Sequence, residues 1–223
     1  MGSIIGEILP LALGVAISPI PIIAAILMLL SPKARGTSVG FLIGWVVGIT
    51  VAVVVFTLLA SIIPASDPDA SKPIAGWIKI ILGALLLLLA ARQFRGRPTG
   101  DAEPALPKWM SAIDTMNVQR ALVLGFLLSA VNPKNLLMAA GGGVAIGGAG
   151  ASVGAEVIAI VVFIVIAASS VAVPVIAYLV AADRMAAPLQ SLRGWLVHNN
   201  TTVMAILLLV IGVVMVGKGI GSF

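Results

Sequence analysis

Two stretches of this 223-residue sequence decide how it folds: Leu11–Pro21, which reads LALGVAISPIP, and Leu122–Asn135, which reads LVLGFLLSAVNPKN. In each stretch an apolar run with a central glycine leads to a serine, and a proline follows shortly after. A proline inside a helix removes one backbone donor and pushes away the carbonyl one turn back. We therefore predict a broken helix at both places, with unpaired backbone groups at each break.

The composition around these stretches is that of a membrane protein. Hydrophobic residues make up 61% of the chain and charged residues only 9%, whereas soluble domains carry about 25% charged residues. A helix needs roughly 20 apolar residues to cross a bilayer. We predict such membrane-spanning helices near 4–30, 38–63, 74–92, 120–141, 153–181 and 201–220. The fold class that we predict is all-α: a polytopic membrane protein with six transmembrane helices, forming a single integral membrane domain over residues 1–223.

Short matching segments occur in the same order in the two halves of the chain. The matched segments are LALGVAIS at 11–18 with LVLGFLLS at 122–129, Ser-Val-Gly at 38–40 with 152–154, and Leu82-Gly83 with Ile211-Gly212. Repeat one covers about 4–92, a loop covers 93–119, and repeat two covers about 120–220. Because each repeat has three spans, the second enters the membrane the other way up, which gives a 3+3 inverted repeat with proline-broken helices 1 and 4. Transporters built in this way bind their substrate near the midplane, between the broken helices.

Cations predict the orientation, because cytoplasmic loops are enriched in Lys and Arg. With both termini outside the plasma membrane, the loops 31–37, 93–119 and 182–200 face the cytoplasm. Nine cations then lie inside: Lys33, Arg35, Arg92, Arg95, Arg97, Lys108, Arg120, Arg184 and Arg193. Three lie outside: Lys72, Lys79 and Lys218. If the first span is instead a re-entrant hairpin around its two prolines, the N-terminus moves inside.

The candidate substrate site consists of polar and proline residues at the two breaks. Its members are Ser18, Pro19, Pro21, Ser129, Asn132, Pro133, Lys134 and Asn135. A cation within a span is costly and usually faces a bundle interior or a watery pathway, so Lys134 with its two flanking asparagines suits a phosphate, sulfate or carboxylate group. The alternative is that Lys134 snorkels to the outer interface, since it lies about 21 Å of helix beyond Arg120.

Two glutamates occupy comparable positions at the starts of the repeats. Glu7 and Glu156 could carry a coupling proton or pair with Lys134, or they could lie at the outer interface and only orient helix ends. The other acidic residues fall in predicted loops, so a path of buried acids for hard cations is not expected.

The residue composition argues against several classes of function. The chain has no Cys and a single His, so we expect neither a thiolate centre nor a transition-metal cluster, and no cofactor. No His, Asp and Ser constellation supports acid–base or nucleophilic work, so the chain is not expected to be an enzyme. The cations are dispersed among the loops, and the orientation of the chain in the membrane explains them. We therefore do not expect nucleic acid as a partner.

Three further segments carry weaker signals. The loops 93–119 and 184–200 become amphipathic around Trp109 and Trp195, which predicts short helices in the inner interface. The run Gly141–Gly154 joins spans four and five and is rich in glycine. It predicts either a hinge or a tight outer turn with close packing.

These motifs resemble the lysine-exporter (LysE) superfamily. The features that carry the resemblance are three plus three spans, Ser18-Pro19-Ile20-Pro21 in the first span and Asn132-Pro133-Lys134-Asn135 in the fourth. The Gly-x-x-x-Ser start of each half and the loop at Trp195 are similar to the GAP family, the glycolipid-addressing or sulfolipid-addressing proteins of actinobacteria. The resemblance covers essentially the whole chain. It implies export, and in the GAP family the transfer of cell-envelope glycolipids.

Three functions remain open at this stage. The first is an exporter of an anionic or zwitterionic molecule, small or lipid-like. The second is an exporter of amino acids or other small metabolites. Amino-acid exporters usually carry an Asn-Pro-Gly-Pro motif, and the different sequence at Ser18–Pro21 argues against an amino-acid substrate. The third is an accessory membrane subunit that docks an envelope-lipid export machinery through the 93–119 loop. The partners implied are membrane lipids and the substrate, with a second copy of the chain or envelope-lipid proteins as further candidates.

The orientation can be tested by cysteine labelling, because the chain has no native cysteine. In intact cells, single cysteines at Pro98 and Ser191 should resist an impermeant thiol reagent, and one at Ser71 should react. Strong labelling at both Pro98 and Ser191 would reverse the predicted orientation.

Overall fold

The computed structural model describes residues 1–62, 73–96, 110, 113 and 115–223. Its long elements are helices, which we number in chain order. They are α1 (Gly2–Ala16), α2 (Pro19–Leu29), α3 (Ala34–Ser61), α4 (Pro73–Arg95), α5 (Val118–Ala130), α6 (Pro133–Gly147), α7 (Val153–Ala182) and α8 (Arg184–Ile220). The last two are separated by a kink at Ala181, whose φ of −143° and ψ of 56° are not helical.

The helices make this chain a multi-pass membrane protein. Four of them, α3, α4, α7 and α8, are each long and apolar enough to cross a bilayer. The pairs α1–α2 and α5–α6 qualify together and are bent by 49° and 60° at their breaks. The described residues therefore provide four spans, or up to six if each bent pair counts as one.

The two breaks lie where the sequence predicts them. Pro19 is the first residue of α2 and Pro133 the first residue of α6. The residue before a proline is pushed out of the helical region, and both Ser18 and Asn132 are extended N-cap residues. Proline then suits the first helical position, because its missing N–H would have no partner there. Broken helices at both prolines are thus confirmed.

The bent pair α5–α6 runs along α3. Gly40 and Gly44 of α3 lie against the backbone of Val118 and Leu122 near the start of α5. Further along, Gly143 and Gly147 of α6 lie against Phe56–Ser61 at the end of α3. The chain therefore continues in the same direction through this break. The other pair, α1–α2, is bent by 49° at its break.

Four glycines on α3 form the surface that α5 packs against. They are Gly36, Gly40, Gly44 and Gly48, spaced four residues apart. A methyl group built on Gly40 would lie 2.7 Å from the carbonyl oxygen of Val118, so only glycine allows this approach. Helices in membranes associate through such small-residue faces. This four-residue spacing is visible in the sequence. It lies within one half of the chain, so a comparison of the two halves does not detect it.

Helices α4 and α8 pack through reciprocal glycine contacts. A methyl group on Gly83 would lie 2.9 Å from the carbonyl oxygen of Gly212, and one on Gly212 would lie 3.1 Å from that of Gly83. The same exchange occurs between Gly76 and Gly219. The two helices are therefore antiparallel, with the start of α4 beside the end of α8.

The glycine-rich segment differs from its prediction. The predicted span 120–141 ends too early, because α6 continues to Gly147. Within it, Gly143 and Gly147 pack tightly against α3, and Gly142 packs against Phe163. Only residues 148–152 connect α6 with α7, and Gly150 alone adopts a positive φ, 63°, among the described residues. Tight packing of small residues, one of the two alternatives, is what the structure shows.

The segment 184–200 is also not a separate short helix. It is the first part of α8, which runs without interruption from Arg184 to Ile220. The side-chain amide of Asn199 donates to the carbonyl oxygen of Trp195, 2.9 Å away, so this polar stretch remains helical. Most of the 93–119 prediction, Trp109 included, lies outside the described residues. Two side chains from this loop, Met110 and Ile113, are buried.

The α3–α5 contact can be tested with Gly44→Ala. A methyl group at Gly44 would collide with the backbone of Leu122, and such overpacking costs about 1–3 kcal/mol. We expect a lower unfolding temperature in detergent, measured by circular dichroism. Gly217→Ala is the matched control, since nothing lies within 4 Å of a methyl group there, and helix propensity alone should leave that variant as stable or more stable. Equal effects of the two substitutions would contradict the contact.

Candidate substrate site at the two helix breaks

The two helix breaks meet inside the protein. The Ser18 hydroxyl, at the N-cap of α2, donates a hydrogen bond to Oδ1 of Asn135 in the first turn of α6, at 3.0 Å. Both side chains are buried, with 2% and 1% of their surface exposed. Residues 117 positions apart are thus brought together, as the broken-helix hypothesis predicts.

Lys134 connects the second break to the end of α1. Its Nζ donates to the carbonyl oxygen of Gly14 at 2.5 Å, and only 3% of the residue is exposed. The last four carbonyls of a helix have no partner within it, and a cation near them interacts favourably with the helix dipole. Lys134 therefore satisfies one of the carbonyls that the first break frees, and its side chain does not snorkel to the outer interface.

Asn135 does the same for the second broken helix. Its Nδ2 donates to the carbonyl oxygen of Leu128, near the end of α5, at 2.9 Å. The side chain thus contacts the end of α5 and the start of α2 while belonging to α6. Asn132 completes the turn, because its Oδ1 accepts from the backbone N–H of Lys134 at 3.1 Å.

Gly14 is needed for this arrangement. A methyl group there would collide with the side chain of Met138 on α6 and would lie 2.5 Å from Cδ1 of Ile211 on α8. The absence of a side chain lets α6 and α8 approach α1 closely. The carbonyl of Gly14 then comes within reach of Lys134.

Each break divides its bent pair into two helices of similar length. Helices α1 and α2 have 15 and 11 residues, which correspond to about 22 and 16 Å. Helices α5 and α6 have 13 and 15 residues, or about 20 and 22 Å. Each break is therefore near the middle of its pair. In a pair that forms one span, this position is at membrane depth, where hydrocarbon cannot satisfy free backbone groups.

The family to which the chain belongs follows from a comparison with family models. Residues 8–221 match the model described as Sap, sulfolipid-1-addressing protein. The chain belongs to this family. No curated protein and no solved structure matches it significantly.

The remaining predicted residues of this family member are placed around the meeting point. Pro19 and Pro21 are buried in α2, whereas Pro133 is exposed. Ser129 is buried, and its hydroxyl donates to carbonyl oxygens of its own helix, those of Gly125 and Phe126. The structure thus brings Ser18 to Asn135 and Lys134 to Gly14 through two hydrogen bonds, and we name these four residues the break cluster.

The two glutamates lie elsewhere. Glu7 pairs with Lys79 of α4 at 3.0 Å, and Nζ of Lys218 lies 3.5 Å from the carbonyl oxygen of Gly6. These contacts join α1, α4 and α8 at the end where α1 begins. Glu156 is half-buried in the first turn of α7, where a negative charge complements the helix dipole. Within the described ranges, no three His, Asp or Glu side chains are grouped as metal ligands would be.

The meeting of the two breaks can be tested by a disulfide in this cysteine-free chain. Ser18→Cys with Asn135→Cys should crosslink within one chain under mild oxidation, because their side-chain oxygens are 3.0 Å apart. A shift in electrophoretic mobility reports the crosslink. Ser31→Cys with Asn135→Cys is the control, since Ser31 lies beyond the far end of α2, about 20 Å along the chain from Ser18. Crosslinking of the control alone would show that the breaks do not meet.

Proposed function

We propose that this protein moves an anionic or zwitterionic lipid-like molecule outward across the plasma membrane, with the break cluster as its substrate site. The family description names sulfolipid-1, and a sulfated lipid is anionic. The observation that carries the proposal is the ammonium of Lys134, buried at membrane depth against the carbonyl of Gly14. The substrate class that follows is a glycolipid of the cell envelope with a sulfate, phosphate or carboxylate group.

A structural role alone does not require a charge at this position. The free carbonyl of Gly14 could be satisfied by a neutral donor, as Asn135 satisfies that of Leu128. A lysine costs several kcal/mol more in hydrocarbon. An anion would compensate this cost, because charge-assisted hydrogen bonds are about twice as strong as neutral ones. Lys134 therefore suits a site that is visited by an anionic group.

The proposed transport step is an exchange of partners at Lys134. In the structure its ammonium joins α6 to the end of α1. An anionic headgroup that takes over this ammonium would release the carbonyl of Gly14 and weaken the tie between the two broken helices. Alternating access then follows from movement of one half of the bundle against the other.

The proposed architecture is six spans arranged as a 3+3 inverted repeat. Two observations support it. The breaks before Pro19 and Pro133 occur at corresponding positions and contact each other. The third spans of the halves, α4 and α8, exchange reciprocal contacts at Gly83 and Gly212, as a two-fold axis between the halves would require. With both termini outside, the Glu7–Lys79 pair lies at the outer end and joins α1 to α4 there.

The test uses Lys134→Met and Lys134→Arg in a strain that lacks the native gene. Methionine keeps the bulk of the stem but removes the charge, so surface lipids that depend on the protein should fall at least tenfold. Arginine keeps the charge but replaces a compact ammonium by a planar fork, so partial export is expected. Quantitative mass spectrometry of surface-extracted lipids and of medium metabolites, at matched expression, gives the readout and identifies which class depends on the protein.

Two controls separate loss of function from loss of structure. Lys218→Met removes a lysine whose Nζ also approaches an α1 carbonyl, but at the end of the bundle, and it should export normally. The Ser18→Cys and Asn135→Cys crosslink should still form in the Lys134→Met protein, which shows that the breaks still meet. Wild-type export by Lys134→Met would remove this residue from the site, and unchanged lipids on gene deletion would overturn lipid export itself.

A further inference from the structure

A cavity of about 530 Å³ lies at the opposite end of the bundle from the Glu7–Lys79 pair. It is lined by residues 31–37, by Asn117 and Val118, and by Tyr178. These residues belong to the α2–α3 connection, the beginnings of α3 and α5, and the second half of α7. The volume is within the usual range of about 300–1,000 Å³ for small-molecule pockets, and the break cluster does not contribute to it.

The cavity is electropositive. Lys33 and Arg35 line it and lie at the beginning of α3, where the helix dipole is already positive. No side chain caps this helix start, and its first turn contains no acidic residue. Among the lining residues that the structure describes, none is acidic. Two cations at an uncapped helix start are unfavourable in isolation, and an anion bound there would reverse this.

A second helix start faces the same cavity. Helix α5 begins at Val118, directly beside Gly36 and Gly40 of α3, and its first turn also lacks an acidic residue. Asn117 caps it by accepting from the backbone N–H of Arg120 at 2.9 Å. Two parallel helix starts therefore direct their positive ends to one region, which is the arrangement that binds oxyanions.

The surroundings of the cavity favour a lipid over a free ion. Val118, at its rim, is 49% exposed. This apolar surface offers contact for an acyl chain beside the polar cavity. Tyr178 is half-buried in the wall, and tyrosine is enriched at the level of lipid headgroups.

We propose that this cavity binds the sulfate or phosphate headgroup of a lipid in the adjacent leaflet, and that it is the loading site for the proposed transport, on which this role rests. Its distance from Lys134 is set by α5, whose 13 residues extend about 20 Å. Loading and exchange at the break cluster are therefore separate steps. Lys33 and Arg35 contact the headgroup, and the apolar rim holds the chains.

The test measures binding without transport. Purified full-length protein in detergent is titrated with 3-sulfogalactosylceramide, with galactosylceramide lacking the sulfate, and with inorganic sulfate, and binding is followed by native mass spectrometry and thermophoresis. We expect the sulfated lipid to bind at least tenfold more tightly than its uncharged counterpart. Inorganic sulfate should displace it only in large excess.

Paired substitutions locate the binding. Lys33→Gln with Arg35→Gln should weaken binding of the sulfated lipid at least fivefold and leave the uncharged lipid unaffected. Arg184→Gln with Arg193→Gln is the matched control, because it removes the same charge from α8 without touching the cavity lining. An equal loss in the control pair would overturn the proposed location, and sulfate binding as tight as that of the lipid would overturn a lipid ligand.

The outcome also separates this proposal from the proposed function. Lys134→Met should retain the bound lipid that Lys33→Gln with Arg35→Gln removes, because residue 134 does not line the cavity, although export by this variant should be lost. Normal binding by Lys33→Gln with Arg35→Gln, together with lost export by Lys134→Met, would reject the loading site and leave the transport proposal intact.

Discussion

The fold depends on how backbone groups are satisfied where a helix breaks inside a membrane. Hydrocarbon offers no hydrogen-bond partner, so each free carbonyl must be bonded within the protein. Here the side chains of two consecutive residues each bond one of the freed carbonyls, since Lys134 bonds Gly14 near the end of α1 and Asn135 bonds Leu128 near the end of α5. The hydroxyl of Ser18 then joins the cluster through Asn135. If only one of the two helices were broken, these donors and acceptors would lack their partners.

Close packing holds this polar cluster together. Lipid chains are as apolar as leucine, so helices in a bilayer gain little from burying large apolar surfaces and associate through small residues. Gly14 allows α6 and α8 to reach α1, while Gly44 and its neighbours allow α5 to reach α3. The bent pair α5–α6 is thereby fixed along α3 on both sides of its break. The position of Lys134 relative to α1 depends on these helix contacts.

The breaks could be predicted from the sequence because proline acts locally. A missing N–H and a restricted preceding residue require no knowledge of the fold, so Pro19 and Pro133 mark the helix starts correctly. The partner of Lys134 could not be predicted in this way. A pairing with Glu7 was one alternative, but the structure pairs Glu7 with Lys79 and gives Lys134 a backbone carbonyl 120 positions away. Such a partner depends on which turn of α1 faces α6, and that is decided by packing at Gly14.

The ends of the helices also depend on tertiary packing, so local sequence does not predict them. Glycine is unfavourable in a helix by about 1 kcal/mol relative to alanine, so Gly141–Gly147 is expected to end a helix, yet these residues continue α6. Tertiary packing against Phe56 and Phe163 outweighs the propensity. The polar residues near 200 likewise continue α8, because Asn199 bonds its own helix.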